Sequence, residues 1–498
     1  MKNKHLLNFL ILNILIVFVV AQKSGTYNGP QYTNGINAGY KEGWSNSDLG
    51  PLMGEAGIRS QRMKFPCTFF QKYGYKILYD NNSFGSAKLA GQSNFTAFIT
   101  YDHGNDSFVP AKIYEPIWDD NNNVNKGNEF AYCVYQIVTT YKADVKIYEI
   151  FNEPDWVSDW KVVSTWATSP PLDLPRFGGN IYSYIRLLRI AWEVAKSVDP
   201  TCFIAVGGLG YPNFLDAILR YSDTAGNLDP LSLGINYIDA VSTHFYPMYG
   251  TSKTNSDAYL TAYIELQNSF KQVAKRHSLN AIWIVTETGV ATKSGDGYYG
   301  SEELARNYFL KLPSISTTLG VRQNHIFILG DTNSGSNAFA NMGLFYDYQN
   351  VDKDKAIIKP SSKGLKTWDL HLSNRTLDPS STESIQSKMP SGVVAYAYND
   401  GLSLCYLIWA NSSSFETDED TTSIQISLEG SYISVYNYLN DIDKFTSDNG
   451  KTVSISVDST PQFIYIDIEG PGSGPSSASN ITYSFYLLII LIFFAISL

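Results

Sequence analysis

Two glutamates that follow apolar runs are the residues of this sequence best suited to acid–base or nucleophilic chemistry. Glu153 lies between Asn152 and Pro154 in YEIFNEPDW, at the point where a run of branched and aromatic residues ends. Proline has no N–H to donate to a strand ladder, so we expect the strand to stop at Glu153. Glu287 ends a second apolar run, in IVTETG. Each carboxylate is therefore expected at the end of a buried strand.

Two carboxyl groups that face the same bond are what glycoside cleavage requires. One group must carry a proton for the leaving oxygen, and the other must be ionised so that it can attack carbon or activate water. Different surroundings separate the pKa values of two such groups. A cation beside one of them keeps that group ionised, and Arg62 is the candidate for this cation.

The elements that must position these residues alternate between short apolar runs and longer segments of helical period. Such alternation predicts parallel βαβ units, and eight of them between residues 36 and 372 suit a (β/α)8 TIM barrel. A doubly wound open sheet is the alternative, but no glycine-rich phosphate loop follows any early strand. The predicted strands are Gly35–Tyr40 (a weak pattern), Gly57–Met63, Thr96–Tyr101, Lys146–Glu153, Phe203–Val206, Ile238–His244, Ile282–Glu287 and His325–Leu329.

A barrel of this kind carries its reactive groups at the carboxyl ends of its strands. Glu153 and Glu287 end the fourth and seventh predicted strands, which lie across the barrel from each other, so both can reach one central pocket. Glu149, in the same strand as Glu153, is interpreted as a structural partner. The strand-end candidates are Arg62, His103, Asn152, Glu153, His244, Tyr246 and Glu287.

The stretches IYEIFNEPDW and IVTETG, taken together, resemble the paired signatures of clan A glycoside hydrolases. The resemblance covers the barrel from about residue 59 to residue 372. It implies that Glu153 is the acid/base and that Glu287 is the nucleophile. It also implies that Asn152 binds the 2-hydroxyl of the sugar.

Further stretches resemble other parts of the same clan. VSTHFYP resembles the sixth strand, which implies that His244 and Tyr246 orient the two carboxylates. GIRSQRM and YDHG resemble the second and third strands, which implies substrate-site roles for Arg62 and His103. VGGLGYPNFLDAILRY before IDAVSTHFYP resembles glycoside hydrolase family 39, and YDHG resembles family 5. The sequence departs from the clan at the eighth strand, where HIFILGDTN has no tryptophan to lie beneath the sugar.

From residue 376 the pattern changes to short strands separated by Asn, Asp, Gly and Ser, with no helical period among them. This predicts a small all-β accessory domain over residues 376–470, most simply a sandwich, after a barrel domain over residues 22–375. The ending TPQFIYIDI resembles the accessory sandwich of several clan A families. The predicted strands are Val393–Tyr398, Leu402–Trp409, Ser423–Leu428, Ile433–Leu439, Thr452–Val457 and Phe463–Ile468.

Both ends of the sequence carry targeting patterns. MKNKH, an apolar run and Val19-Val20-Ala21 predict a signal peptide over residues 1–21. In residues 471–498, small residues at 472–474, a polar spacer and a short apolar tail predict a GPI-anchor signal. A transmembrane helix from near Ile481 is the alternative. We therefore expect a glycoprotein at the cell surface, membrane-attached through its C-terminal anchor. Sequons that fit this route lie at Asn81, Asn94, Asn105, Asn374 and Asn411.

Composition argues against several other classes of protein. The net charge of −10 and the lack of a basic cluster indicate that nucleic acid is not a partner. Six histidines without an HExxH pattern, and four cysteines without CxxC, give no reason to expect a metal or a cofactor. The cysteines allow two disulfides, one or none, and the oligomeric state is left open. The four are Cys67, Cys133, Cys202 and Cys405.

These observations predict a retaining β-glycoside hydrolase that acts on an extracellular oligosaccharide or polysaccharide with two glutamates. Transglycosylation, in which a second sugar replaces water, is a variant of the same chemistry. The alternative from another class is a non-catalytic surface protein that binds glycans or mediates adhesion, built on a barrel that has lost its catalytic activity.

Overall fold

The structure is a computed structural model, and it describes residues 26–37, 46–102, 109–249, 254–332, 337–346, 355–412, 417–419, 422–447 and 450–467. Eight parallel strands form a closed barrel in sequence order, with the last strand paired to the first. The predicted TIM barrel is therefore confirmed, including its weakly patterned first strand. The barrel strands are β1 (Thr33–Asn37), β2 (Ser60–Pro66), β3 (Asn94–Thr100), β4 (Val145–Ile150), β5 (Phe203–Ala205), β6 (Ala240–Phe245), β7 (Ile282–Thr288) and β8 (Val321–Phe327).

Helices around the barrel begin where polar side chains can cap their free N–H groups. The Asn128 side chain accepts a hydrogen bond from the N–H of Ala131, and the Asn180 side chain accepts one from the N–H of Ser183. These caps fix the residues at which the two helices begin. Buried apolar faces then pack the helices onto the strands. The helices are α1 (Asn46–Glu55), α2 (Cys67–Tyr73), α3 (Ile77–Asp80), α4 (Ser83–Leu89), α5 (Glu129–Tyr141), α6 (Ile181–Val198), α7 (Pro212–Arg220), α8 (Ser256–Arg276), α9 (Glu302–Thr318) and α10 (Pro360–Leu372).

The fourth strand ends earlier than the sequence predicts. β4 stops at Ile150, so Glu153 lies in the turn beyond the strand rather than in its last position. The physical reason is the backbone of this turn, where Phe151 has φ 74° and Glu153 has φ 50°. Positive φ values of this kind are incompatible with an extended ladder, so the chain leaves the sheet before it reaches the proline.

The described chain divides into two compact units between Leu365 and Lys366, inside α10 and ahead of the predicted boundary after residue 375. The second unit contains a six-stranded antiparallel sheet in the order β14-β13-β16-β11-β10-β9 and a two-stranded sheet of β12 and β15. The prediction of a small β domain is confirmed. Its strands are β9 (Thr376–Leu377), β10 (Val393–Asn399), β11 (Leu404–Ala410), β12 (Ile424–Glu429), β13 (Tyr432–Tyr436), β14 (Ile442–Thr446), β15 (Thr452–Val457) and β16 (Gln462–Asp467).

One helix in the second unit was not expected. Helix α11 (Pro379–Gln386) begins after Asp378, whose carboxylate accepts from the N–H groups of Ser380 and Ser381. The helix buries a single apolar residue, Ile385. A helix with one buried position shows no hydrophobic period, so the expectation that this region has no helix was wrong.

A disulfide joins the helix that follows β2 to the helix that precedes β4. Cys67, the first residue of α2, bonds to Cys133 in α5, across 66 residues of sequence. The other two cysteines, Cys202 and Cys405, are buried thiols. The bridge therefore ties the segment after β2, the strand of Arg62, to the helix before β4.

Loss of this bridge should destabilise the protein. We expect Cys67→Ser combined with Cys133→Ser to lower the free energy of unfolding by about 2–5 kcal/mol, because the unfolded chain regains the entropy of an open loop. Urea unfolding followed by circular dichroism measures the change. Reductant should lower the midpoint of the wild type and leave the double variant unaffected. Equal midpoints for wild type and variant without reductant would contradict the expectation.

The terminal predictions lie outside the described residues. Residues 1–25 and 468–498, which carry the predicted signal peptide and the whole predicted anchor signal, belong to this undescribed part, as does the sequon at Asn105. In the described ranges, no helix combines the length and the apolar character needed to cross a bilayer.

Candidate active site

The Arg62 guanidinium lies at the centre of the site and contacts four side chains from the ends of three strands, β1, β4 and β7. Its Nε is 2.6 Å from Glu149 Oε2, and one Nη is 2.7 Å from Glu287 Oε1 and 3.2 Å from Asn37 Oδ1. The other Nη donates to Asn152 Oδ1 at 2.8 Å. Arg62 is 3 % exposed, so these contacts replace water for a buried cation.

Glu149 is fully buried, and every contact that it makes is structural. It pairs with Arg62, and Thr286 Oγ1 donates to its Oε1 at 2.7 Å, as Ser242 Oγ also does. A buried carboxylate with an arginine and two hydroxyls around it has no open face for substrate. The interpretation of Glu149 as a structural partner agrees with this position.

Glu287 receives hydrogen bonds on both of its oxygens. Arg62 donates to Oε1, and the Tyr246 hydroxyl donates to Oε2 at 2.6 Å. His244 Nδ1 lies 3.5 Å from the same Oε2. Burial, followed by the negative charge of Glu287, raises the pKa of Tyr246 well above its usual value, so the phenol keeps its proton and remains a donor. These donors fix the carboxylate in one orientation.

Glu153 has a different set of neighbours. Its Oε1 is 2.8 Å from His244 Nδ1, and its Oε2 is 3.0 Å from a guanidinium nitrogen of Arg176. Its own N–H donates to the carbonyl of Gly207 at 2.6 Å, which secures the left-handed backbone of the turn. Strained backbone held by its surroundings recurs at functional sites, and here it directs the Glu153 side chain towards His244.

The electrostatics of Glu153 and His244 must be considered together. Burial alone would raise the pKa of Glu153, but the hydrogen bond and charge of His244, with Arg176 and Arg62, lower it to about 2. Burial alone would lower the pKa of His244, but Glu287 and Glu153 together raise it. The pair therefore holds its proton on the imidazole, and Glu153 is ionised.

The two candidate carboxylates face one small space. One oxygen of each glutamate and a ring nitrogen of His244 all lie within 4.8 Å of one another. These three groups are also of the kind that bind metal ions, but Arg62 and Arg176 already pair with the two glutamates. A cation at the same oxygens would meet two guanidinium charges, so the arrangement fits proton transfer and nucleophilic attack better than metal binding.

An aromatic cluster stands where the sequence lacks the expected tryptophan. Phe327, the last residue of β8, packs edge-on against Tyr246 with ring centroids 6.2 Å apart and against Phe339 at 5.8 Å. Phe339 also packs against Tyr246 at 4.9 Å. A partly exposed phenylalanine therefore occupies the end of the eighth strand, beside the tyrosine that orients Glu287.

The structure brings together six of the seven predicted site residues and adds others. His103 lies outside the described residues, so its role stays a prediction. Asn37 and Arg176 were not predicted. Asn37 comes from the weakly patterned first strand, and Arg176 follows Glu153 by more than twenty residues in a long loop, so neither position ends a predicted strand. A polar residue at the end of β1 was the one available signal for Asn37.

The buried ion pair should be costly to break. We expect Arg62→Ala to lower the free energy of unfolding by about 3–5 kcal/mol, because it leaves the Glu149 carboxylate buried without its cation. Glu149→Gln in the same background should recover part of that loss, since an amide carries no charge to bury. Urea unfolding of the two variants measures both effects. A loss below about 1 kcal/mol for Arg62→Ala, the size of an exposed pair, would contradict this account.

The pairing of His244 with Glu153 should also make stability depend on pH. Because folding lowers the pKa of Glu153, its carboxylate stabilises the fold at pH values above its pKa in the unfolded chain. This stabilisation is lost as the pH falls towards 2. Because folding raises the pKa of His244, its imidazolium stabilises the fold at pH values below its pKa in the unfolded chain. This stabilisation is lost as the pH rises through the pKa of His244 in the folded protein. The difference in free energy of unfolding between wild type and His244→Asn should therefore be largest at about pH 5–6. It should become smaller at lower and at higher pH. Urea unfolding across pH measures it, and a constant margin would contradict the pairing.

A comparison with family models supports a glycoside hydrolase domain within the barrel. Residues 73–318 match the family model described as cellulase, glycosyl hydrolase family 5. A search of curated proteins gives no significant match.

Among solved structures, a family 39 glycoside hydrolase from Bacteroides cellulosilyticus WH2 is similar with a TM-score of 0.56 and 13% identity, over 88% of this chain and 81% of that one. A glucosidase from Croceicoccus marinus has a TM-score of 0.53 and 11% identity, over 89% and 96%. A family 30 subfamily 8 xylanase from Clostridium acetobutylicum has a TM-score of 0.52 and 14% identity, over 90% and 98%. At these identities the likeness shows the fold.

Proposed function

We propose that this chain is a clan A glycoside hydrolase, which the family 5 match over residues 73–318 supports, and that it hydrolyses β-glycosidic bonds of an extracellular glycan with retention of configuration. Glu287 is the nucleophile and Glu153 is the acid/base in this proposal. The observation that carries it is the close approach of the two carboxylates, with oxygens within 4.8 Å. Retaining enzymes hold their carboxyl groups about 5–5.5 Å apart, whereas inverting enzymes leave about 6.5–9.5 Å for a water molecule.

The neighbours of each carboxylate support this division of roles. Glu287 is held by Arg62 and by the neutral Tyr246 hydroxyl, which suits an anion that must attack the anomeric carbon. Attack forms a glycosyl ester on Glu287 while the leaving oxygen takes a proton from Glu153. Glu153 then removes a proton from water, which attacks the same carbon and releases the sugar. Two inversions at one carbon give retention.

Glu153 must gain a proton before it can act as an acid. In the free enzyme it is ionised, because its pKa is about 2 beside His244 and Arg176. Bound sugar displaces water from the carboxylate, and this desolvation favours the neutral acid. His244 keeps donating to Oε1 in that state, so the other oxygen can carry the proton for the leaving group. Substrate binding and proton uptake are therefore coupled in this mechanism.

The contacts of Asn152 suit a role in sugar binding. Its Oδ1 accepts from Arg62 at 2.8 Å, which directs its NH2 group away from the arginine. An amide oriented in this way offers donors to a sugar hydroxyl, and a hydrogen bond to the 2-hydroxyl that strengthens in the transition state contributes to catalysis. This supports the role implied by the Asn-Glu-Pro motif.

Two observations bear on the setting and on the alternative function. The disulfide between Cys67 and Cys133 fits a protein that folds in an oxidising compartment, which supports an extracellular substrate. A glycan-binding protein without activity would need none of the donors that separate the roles of Glu153 and Glu287. Their presence favours catalysis over the binding-only alternative.

Azide rescue distinguishes the two glutamates. Glu287→Ala leaves a hole on the nucleophile's face, so azide that enters it should give a glycosyl azide of inverted configuration. Glu153→Ala should still form the glycosyl-enzyme from a substrate with a good leaving group, so azide should give a product of retained configuration. Without azide, Glu153→Ala should lose about 10²–10⁴-fold in rate, the worth of a positioned acid or base. Glu287→Ala should lose at least as much, because no covalent intermediate can form on it. Proton NMR of the azide products, from an activated aryl β-glycoside, measures the configuration.

Asn152→Ala is the matched control, because it should weaken transition-state binding and leave the stereochemistry unchanged. Azide products with the opposite assignment would mean that the two roles are exchanged. Full activity in either alanine variant would remove that carboxylate from the mechanism.

A further inference from the structure

Arg176 occupies the oxygen of Glu153 that the leaving group needs. His244 Nδ1 is 2.8 Å from Glu153 Oε1 and also 3.5 Å from Glu287, so the Oε1 side lies between the two carboxylates. Oε2 is the oxygen that remains for the glycosidic bond, and an Arg176 nitrogen lies 3.0 Å from it. A leaving group that takes a proton from Glu153 must therefore come into contact with this guanidinium.

The turn that carries Arg176 is held firmly in place. Leu174 and Gly179 pair as an antiparallel bridge, and the N–H of Gly178 donates to the carbonyl of Leu174 at 2.7 Å. Between them, the fully buried Phe177 packs edge-on against Phe151, with ring centroids 4.9 Å apart. Phe151 is the residue that begins the strained turn of Glu153. The loop thus fixes the backbone position from which the Arg176 side chain reaches Glu153.

The Arg176 guanidinium has unused hydrogen-bonding capacity. Its side chain is 31% exposed, although its Nε is buried and has no hydrogen-bond partner among the described residues. Among the residues that the structure describes, it forms an ion pair with Glu153 alone. A planar group with five donors, a free buried N–H and an exposed edge is suited to bind a carboxylate or a similar anion with two parallel hydrogen bonds.

We propose that Arg176 binds an anionic group on the leaving-group side of the substrate and that this contact draws it away from Glu153. The inference rests on the proposed glycosidase function and deepens it, since it assigns a negative charge to the part of the glycan that leaves. In the free enzyme Arg176 neutralises Glu153. When the substrate's anion replaces Glu153 as its partner, Oε2 becomes available to take a proton and to pass it to the leaving oxygen.

The exchange has an electrostatic consequence that a structural arginine would not have. Arg176 is one of the charges that hold the Glu153 pKa low, after His244. Removing it from Glu153 raises that pKa, so the acid keeps its proton to a higher pH. A substrate with the anion thus helps to switch on the acid that cleaves it, and a neutral substrate must displace Arg176 without compensation.

The test compares two aryl β-glycosides of one sugar, chosen as the best wild-type substrate from a panel of nitrophenyl β-glycosides. The aglycones are 4-carboxyphenyl, which is anionic, and 4-carbamoylphenyl, which has a similar shape and is neutral. We expect wild-type kcat/KM to favour the carboxyphenyl glycoside about tenfold, the worth of one charge-assisted hydrogen bond. Arg176→Gln should reduce this preference to about one, and Arg176→Lys should retain part of it.

A second readout uses the 4-carbamoylphenyl glycoside, which has no anion and has a leaving group poor enough to need a proton from Glu153. The alkaline limb of its kcat/KM profile should move to higher pH in Arg176→Gln, because Glu153 loses a neighbouring cation. Lys161→Gln is the matched control, since Lys161 is an exposed cation earlier in the same loop and outside the site. It should change neither the aglycone preference nor the pH profile.

The outcomes separate this inference from the proposed function. If the wild type hydrolyses both glycosides at equal rates, or if Arg176→Gln keeps the preference, the inference is overturned and the glycosidase function stands. If the wild type hydrolyses no glycoside of the panel, both are overturned. A preference lost in Arg176→Gln and kept in Lys161→Gln supports the inference, and the pH shift separates it from a general loss of fold.

Discussion

The Arg62 guanidinium is buried, and it can remain charged there because Glu149 lies 2.6 Å from its Nε and Glu287 lies 2.7 Å from one Nη. Burying an ion costs several kcal/mol, and only short, well-directed contacts offset that cost. The carboxylates come from β4 and β7, and the amide oxygens of Asn37 and Asn152 come from the ends of β1 and β4. The barrel must therefore close so that the ends of β1, β4 and β7 lie at the same level around Arg62. Otherwise the charge of the Arg62 guanidinium is left uncompensated.

The same closure gives the two catalytic candidates unlike surroundings. Glu287 accepts its hydrogen bonds from a permanent cation and a neutral phenol, and the titratable His244 lies farther away, 3.5 Å from Oε2. Glu153 depends on His244, whose proton can be lost, and on Arg176, which is partly exposed and can move. One carboxylate is thus held constant while the other responds to its environment. An acid that must later act as a base needs this second kind of setting.

How much could be predicted from the sequence depended on how local the signal was. The strand ends of Glu153 and Glu287 were visible because apolar runs stop there and a barrel places such ends together. The contact of Asn37 with the carbonyl of Thr286 joins residues 249 apart in sequence, and no local pattern encodes such a pairing. The positive φ of Phe151 and Glu153 was also invisible, because neither residue type favours it. Arg176 reaches the site only through the folding of a long loop, and four cysteines alone could not indicate which two would bond.

The bridge between Cys67 and Cys133 has a consequence for the order in which the chain is assembled. Both cysteines emerge during synthesis well before β8, the strand that must pair with β1 to close the barrel. Until β8 arrives, β1 presents an unpaired strand edge, the kind of surface on which chains associate wrongly. A cross-link that forms within the first half of the barrel, between α2 and α5, can hold the early strands together during that wait. Folding of the chain is therefore expected to depend on thiol oxidation at an earlier stage than on any contact made by its candidate active site.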